Sequence, residues 1–232
     1  MAQLVSILDN DFYKFTMQYA VSKLFPKAKA RYQFINRGKH QFPDGFDTKL
    51  KEAISAMAQL KLSQAEKTYF QQKCPYIDPI YFDVLQGYRY DPEEVDVQQV
   101  GQDLSVTIEG YWYRTILWEV PLMSLICETY YEMIGFKRVS NDEVCAIADR
   151  KMDKYDKLNI TIADFGTRRR HSYQVHDLVI RTLKQHQSKT FIGTSNVHLA
   201  MKYETTPIGT HAHEWFMFHA AKYGYKMANL LG

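Results

Sequence analysis

The sequence predicts an α/β fold: an α+β first half, then a βαβα stretch that forms a parallel sheet or the opening strands of a barrel. Two observations carry this. Residues 104–120 are rich in β-branched and aromatic side chains, and Pro121 can then open an apolar helix running to Met133. After Asn159 the pattern changes to short apolar runs, each followed by a longer segment of helical period, which is the signature of parallel strands with crossover helices.

In chain order, Asp9 and Asn10 are placed to cap a helix extending to about Leu24, with Phe12, Phe15, Met17, Tyr19, Val21 and Leu24 forming two apolar stripes. Alternation over Ala30–Ile35 predicts a strand. Leu50, Ala53, Ile54, Met57 and Leu60 recur at helical spacing after the turn-forming Pro43-Asp44-Gly45. Ser63 with Glu66, and Ser140 with Glu143, are capping-box pairs, and the second should start a helix ending near Asn159. The strands expected after it are Ile160–Gly166, Thr190–Gly193 and Thr206–Gly209, with longer helices over Ser172–His186 and Ala212–Tyr223.

Composition narrows the function. Nearly half of the 232 residues are apolar, enough for a full core, and Lys plus Arg exceed the acids by only three. Apart from Arg168, Arg169 and Arg170 the basic residues are scattered, so nucleic-acid binding is not expected. Cys74, Cys127 and Cys145 are too few and too dispersed for a disulfide framework or a zinc cage and read as reduced thiols. Acidic residues interrupt the N-terminal segment before any apolar leader forms, and no run approaches the ~18 apolar residues of a membrane span. A cytoplasmic protein with no membrane association is expected.

Each expected late strand ends in a polar cluster: Asp164 to Ser172, Gly193-Thr194-Ser195-Asn196, and Gly209 to Glu214. Strand C-termini carry the sites of parallel α/β folds, so three clusters in succession point to one shared site. Three arginines at a helix start oppose the helix dipole unless an anion lies close, and phosphate suits both guanidinium groups and free helix amides. The alternative is a solvated basic turn. Gly193-Thr194-Ser195-Asn196 offers hydroxyls and an amide to a small polar ligand, or is an ordinary helix cap. His211-x-His213-Glu214 fits acid–base or nucleophilic work, metal ligation, or two helix-start histidines without chemistry.

These segments also resemble a known family. Asp164-Phe165-Gly166-Thr167-Arg168-Arg169-Arg170, Phe191 to Asn196, and Pro207 to Phe216 look like three successive signature segments of nicotinate phosphoribosyltransferases. Leu8-Asp9-Asn10-Asp11-Phe12-Tyr13-Lys14 and Leu117-Trp118-Glu119-Val120-Pro121-Leu122 resemble two more, in the right order.

The resemblance implies an N-terminal α+β domain over residues 1–135 and, over 136–232, the first strands of an irregular α/β barrel cut short at its C-terminal end. It implies synthesis of nicotinate mononucleotide and pyrophosphate from nicotinate and phosphoribosyl pyrophosphate, the first step of NAD salvage, by a homodimer. His213 matches the histidine that ATP phosphorylates, coupling ATP hydrolysis to synthesis, with magnesium accompanying the phosphates and no metal held by the protein itself. Tyr13 matches a tyrosine stacking on the pyridine ring from the neighbouring subunit, and Thr210 a threonine near the nicotinate carboxylate. Arg168 and Arg169 match the ligands of phosphoribosyl pyrophosphate, while Thr194 and Ser195 fall in the substrate-binding turn. Nicotinamide-using relatives carry an aspartate where this chain has Ser195, so a carboxylate substrate is favoured here. Two competing readings are a metal-dependent hydrolase, with Asp164 or Glu214 completing a His-x-His ligand set, and a non-catalytic fragment.

Overall fold

A computed structural model describes residues 4–186 and 188–231. Its first half is built on a three-stranded antiparallel sheet in the order β1-β3-β2, comprising β1 (Lys29–Gln33), β2 (Val95–Val100) and β3 (Asp103–Tyr111). Gly101, at φ +58°, opens the two-residue turn between β2 and β3, a backbone region that favours glycine. Around the sheet pack α1 (Phe12–Leu24), α2 (Phe46–Met57), α3 (Gln64–Lys73), α4 (Pro79–Gly87), the short α5 (Trp112–Thr115) and α6 (Glu119–Met133).

The α3 capping box forms as expected, with Ser63 and Glu66 bonding reciprocally. Three expectations are corrected. Asp9 and Asn10 do not cap α1; Asp11 holds that position without a side-chain cap bond. Asn10 is drawn away because its amide donates to the Leu117 carbonyl at 2.9 Å, and Asp9 because it meets Arg170. The strand expected to reach Val120 ends at Tyr111, where Trp112 turns the chain into α5 and donates from its indole N–H to Glu214. Finally, α6 starts at Glu119 rather than Pro121; proline is tolerated there because the first N–H groups of a helix have no intrahelical acceptor.

The second half runs α7 (Asn141–Lys157), β4 (Ile162–Asp164), a 3₁₀ turn (Thr167–Arg169), α8 (Tyr173–Gln185), β5 (Phe191–Thr194), α9 (Val197–Lys202), α10 (His213–Tyr223) and α11 (Tyr225–Leu231). Ser140 caps α7 and Ser172 caps α8. Strands β4 and β5 pair in parallel, so the molecule is α/β as the sequence predicts. The third expected strand is reduced to one parallel bridge between Thr194 and Pro207: Thr194 N–H donates to Thr206 and Ile208 N–H to Thr194, while Pro207 has no N–H to extend the ladder.

One large core gathers side chains from α1, α2, α3, α4, β2, β3 and α6 and also takes in Val197 and Ala212 from the second half. A smaller one joins α7, α8 and β5 through Ala148, Met152, Ile180, Leu183 and Phe191. A buried ionic clamp fastens the halves. Arg170, 2% exposed, makes a two-pronged bond to Asp9 at 2.6 and 3.0 Å and donates from Nε to Glu128 of α6 at 2.6 Å. Asn196 completes the arrangement, donating to Asp9 at 2.7 Å. Burial pushes the Asp9 carboxyl upward, but the Arg170 charge and the Arg170 and Asn196 hydrogen bonds outweigh it and hold its pKa below 3.8.

Removing Arg170 strands two buried carboxylates, so Arg170→Ala is expected to cost about 3–5 kcal/mol in urea denaturation. Because the folded pKa of Asp9 is depressed, its contribution is present above pH 3.8 and lost as pH falls through the folded value. The stability gap between wild type and Asp9→Asn should therefore be open at pH 7 and narrow below pH 3.8; a gap independent of pH would contradict this role.

Candidate active site

The polar clusters converge as the sequence predicts. At the end of β4, Asp164 accepts from the Gly166 N–H at 3.0 Å and from Thr194 Oγ1 at 2.6 Å, and pairs with His176 Nε2 at 2.8 Å. Its carbonyl accepts from Ser195 N–H at 2.8 Å. Burial pushes the Asp164 carboxyl up, but His176, Thr194 and the Gly166 amide together hold it below the usual value. One carboxylate thus closes the first turn, anchors α8 and fixes the second turn.

The second turn is held as tightly. Gly193 sits at φ +148°, and a Cβ there would lie 2.0 Å from the Thr206 carbonyl, so only glycine lets the third segment approach β5. Thr194 and Ser195 are fully buried and their hydroxyls are engaged inside the protein, Thr194 with Asp164 and Ser195 with Asp11 at 2.7 Å. The start of α1 lies against both turns: Phe12 N–H donates to the Ser195 carbonyl at 2.7 Å, and the Phe12 ring touches Gly209. Tyr13 is thereby carried to the site, half-buried, with its phenol pushed up to about 12, chiefly by burial.

The three consecutive arginines divide. Arg170 is spent on the clamp. Arg168 keeps 36% of its side chain exposed and donates to Glu119 at 2.9 Å. Arg169 is exposed and has no ion-pair partner among the described residues. Thr210, His211 and His213 are exposed too, with His213 the first residue of α10. Of the expected site residues, Thr194 and Ser195 are thus buried, whereas Arg168, Arg169, Thr210 and His213 are accessible.

A buried lysine that the sequence motifs leave without a role ties the Glu119 and Glu214 segments to the start of α1. Lys14, 1% exposed, bridges Glu119 and Glu214, the latter at 2.6 Å. Glu214 also accepts from the Trp112 indole at 2.7 Å and from the Tyr32 hydroxyl. Burial works against the charge of Lys14, but Glu214 and then Glu119 outweigh it and raise its pKa. The signal in the sequence is a lysine beside Phe15 in an apolar helix. Among the described residues no three His, Cys, Asp or Glu side chains are grouped to hold a metal ion; Asp164 and Glu214, either of which could complete the ligand set of the hydrolase reading, face other partners. A cleft of about 380 Å³ between α7, β4 and α8 is lined by Asp164 and Phe165 of the first polar cluster but by none of Tyr13, Arg168, Arg169, Thr194, Ser195, Thr210 or His213.

The model of the nicotinate phosphoribosyltransferase N-terminal domain matches residues 8–127, and that of the nicotinate phosphoribosyltransferase family matches residues 160–229. The chain belongs to the nicotinate phosphoribosyltransferase family. It is 58% identical over 228 residues to the nicotinate phosphoribosyltransferase of Chromohalobacter salexigens, covering 98% of this chain and 58% of that protein. It is 40% identical to that of Methanosarcina mazei, covering 97% and 59%. The crystal structure of nicotinate phosphoribosyltransferase from Porphyromonas gingivalis superposes with a TM-score of 0.94 at 43% identity, covering 98% of this chain and 59% of that one. The chain thus spans somewhat under three fifths of the length of these relatives. No helix of the described residues is long and apolar enough to cross a membrane.

Burial drives the carboxyl of Asp11, beside Ser195, upward, against weaker help from Ser195, Thr167 and Arg168. With a raised folded pKa it favours folding below pH 3.8 and loses that advantage as pH rises through the folded value. Asp11→Asn keeps an acceptor for Ser195 without the charge, so its thermal midpoint at pH 7 should match or exceed wild type, with the difference shrinking toward pH 3.8. A lower midpoint at pH 7 would contradict this account. Gly193→Ala, by contrast, is expected to be recovered unfolded or with lost near-ultraviolet circular dichroism, because the obstacle is backbone.

Proposed function

We propose that this chain carries the substrate-binding and phosphorylation segments of a cytoplasmic, homodimeric nicotinate phosphoribosyltransferase. It would make nicotinate mononucleotide and pyrophosphate from nicotinate and phosphoribosyl pyrophosphate as the first step of NAD salvage from nicotinate. The observation that supports this best is the convergence of all five family segments: the α1 start, the Glu119 region and the three strand-end turns meet through hydrogen bonds and ion pairs.

In this reading the pyridine nitrogen attacks the anomeric carbon of the ribose as the bond to pyrophosphate breaks. Charge builds on the leaving group, so the main task is to place cations against it. Arg168 and Arg169 do this with their accessible guanidinium groups, the donor entering as its magnesium complex. Tyr13 stacks on the pyridine ring, and Thr210 donates to the nicotinate carboxylate. Thr194 and Ser195 shape the floor of the site, and Ser195 avoids the extra negative charge that an aspartate would set against nicotinate. The nearest carboxylate, Asp11, already accepts from the Ser195 hydroxyl.

His213 serves as the phosphate carrier. An unprotonated imidazole nitrogen attacks the γ-phosphorus of ATP, ADP departs, and later hydrolysis of the phosphohistidine couples ATP consumption to synthesis. Its exposure at the start of α10 leaves it open to a nucleotide, and Glu214 beside it is anchored on Lys14 and Trp112, which fixes the helix end.

Product formation from nicotinate and phosphoribosyl pyrophosphate, with and without ATP, tests the proposal. Wild type should be stimulated by ATP; His213→Ala should keep basal synthesis and lose the stimulation, with no acid-labile phosphate incorporated. A folded, full-length enzyme inert toward both nicotinate and nicotinamide would overturn the assignment. The covered share of the relatives favours a second reading, in which turnover requires sequence outside these 232 residues; activity in a longer chain beside none in this one would establish it.

A further inference from the structure

We propose that Lys14 and Glu119 are a positioning pair that holds Arg168 in the orientation needed to bind the pyrophosphate group of the sugar donor. The ligand's identity rests on the function proposed above; the geometry does not. Glu119 Oε1 accepts from Arg168 Nη1 at 2.9 Å, and its other oxygen accepts from the Lys14 ammonium. Lys14 is locked in turn by Glu214, which Trp112 and Tyr32 hold from the far side. Side-chain exposure is 1% at Lys14, 27% at Glu119 and 36% at Arg168. An alternating string of charges thus leads from the core to a guanidinium at the surface.

Two features separate this from an ordinary ion pair. A guanidinium has five N–H donors in a rigid plane, and Glu119 takes one of them. No other protein acceptor of this side chain is found among the described residues, so the remaining donors keep a fixed direction toward an anion. Lys14 also shares the charge of Glu119, which limits how strongly that carboxylate competes with the ligand for Arg168. Burial works against ionisation of Glu119, yet Lys14 and Arg168 keep its pKa below the usual value, so it stays charged when the ligand arrives.

The two accounts of Arg168 make opposite forecasts for Glu119→Gln. If only net charge mattered, removing a carboxylate would strengthen anion binding. If orientation matters, binding weakens although the site becomes more positive. Titration calorimetry with inorganic pyrophosphate should show affinity falling roughly tenfold in Glu119→Gln and in Lys14→Met, the size expected for losing a charge-assisted hydrogen bond. Glu119→Gln should have almost no further effect in an Arg168→Ala background, because both act through one group. Steady-state kinetics should show the same rise in KM for phosphoribosyl pyrophosphate, with KM for nicotinate within about twofold.

Unchanged or tighter pyrophosphate binding by folded Glu119→Gln, or additive losses in the double variant, would overturn the pairing. Should Glu119→Gln fail to fold, Arg168→Lys decides the question: lysine lacks the planar fork that spans Glu119 and an anion, so wild-type affinity in that variant overturns the proposal. The outcomes also separate the two levels of inference. Pyrophosphate binding that depends on Glu119, with no turnover of nicotinate by this chain or by a longer one, leaves the positioning pair standing and removes the assigned reaction. Turnover with a silent Glu119→Gln does the reverse, and a wild-type protein that, in this chain and in a longer one, neither binds pyrophosphate nor turns over removes both.

Discussion

The rest of the structure depends on how one guanidinium, that of Arg170, is taken out of water. A charge that is 2% exposed survives only with full compensation, and it receives it from three directions: Asp9 from the N-terminal segment, Glu128 from α6, and Asn196 through Asp9 from the start of α9. These elements must therefore meet at one point. The turn after β4 is pinned by its last arginine pointing inward, which leaves the two preceding arginines accessible. A structural need thus decides which arginines face outward.

That division was not legible in the sequence. Three adjacent arginines look alike on paper, and only the carboxylates that fold around Arg170 distinguish it. The elements set by local rules are legible: the caps at Ser63 and Ser140, the strand at β1, and the helices α7, α8 and α10. Helix α4 was missed although Asp78-Pro79 supplies both a cap and a proline at the first position. Strand β2 was missed because Val-Asp-Val-Gln-Gln-Val buries a single side chain, Val97, and owes its form to β3 alongside it. Where the sequence misled, at Asp9, Asn10, Thr206 and Glu119, long-range partners or a proline overrode a plausible local signal.

The same contrast runs through the site. Its three turns are visible because each is a polar cluster that follows a short apolar run. Their depth is not: Thr194 and Ser195 form a buried floor whose hydroxyls brace Asp164 and Asp11. Bracing of this kind gives a polar site its rigidity, since every hydroxyl already has an acceptor and little rearrangement is open to it. The groups left facing outward are Arg168, Arg169, Thr210 and His213.

The ion pairs also constrain the order in which the protein can be made. Arg170 and Asp9 are 161 residues apart, and Lys14 and Glu214 are 200 apart. A ribosome releases the N-terminal helix long before either distant partner exists. Until Arg170 emerges, Asp9 has no counter-charge for burial, and until α10 is complete Lys14 has half of its native shell. These two charged groups must therefore wait hydrated while the first half packs its own core, and closure of the clamp is a late event in biosynthesis.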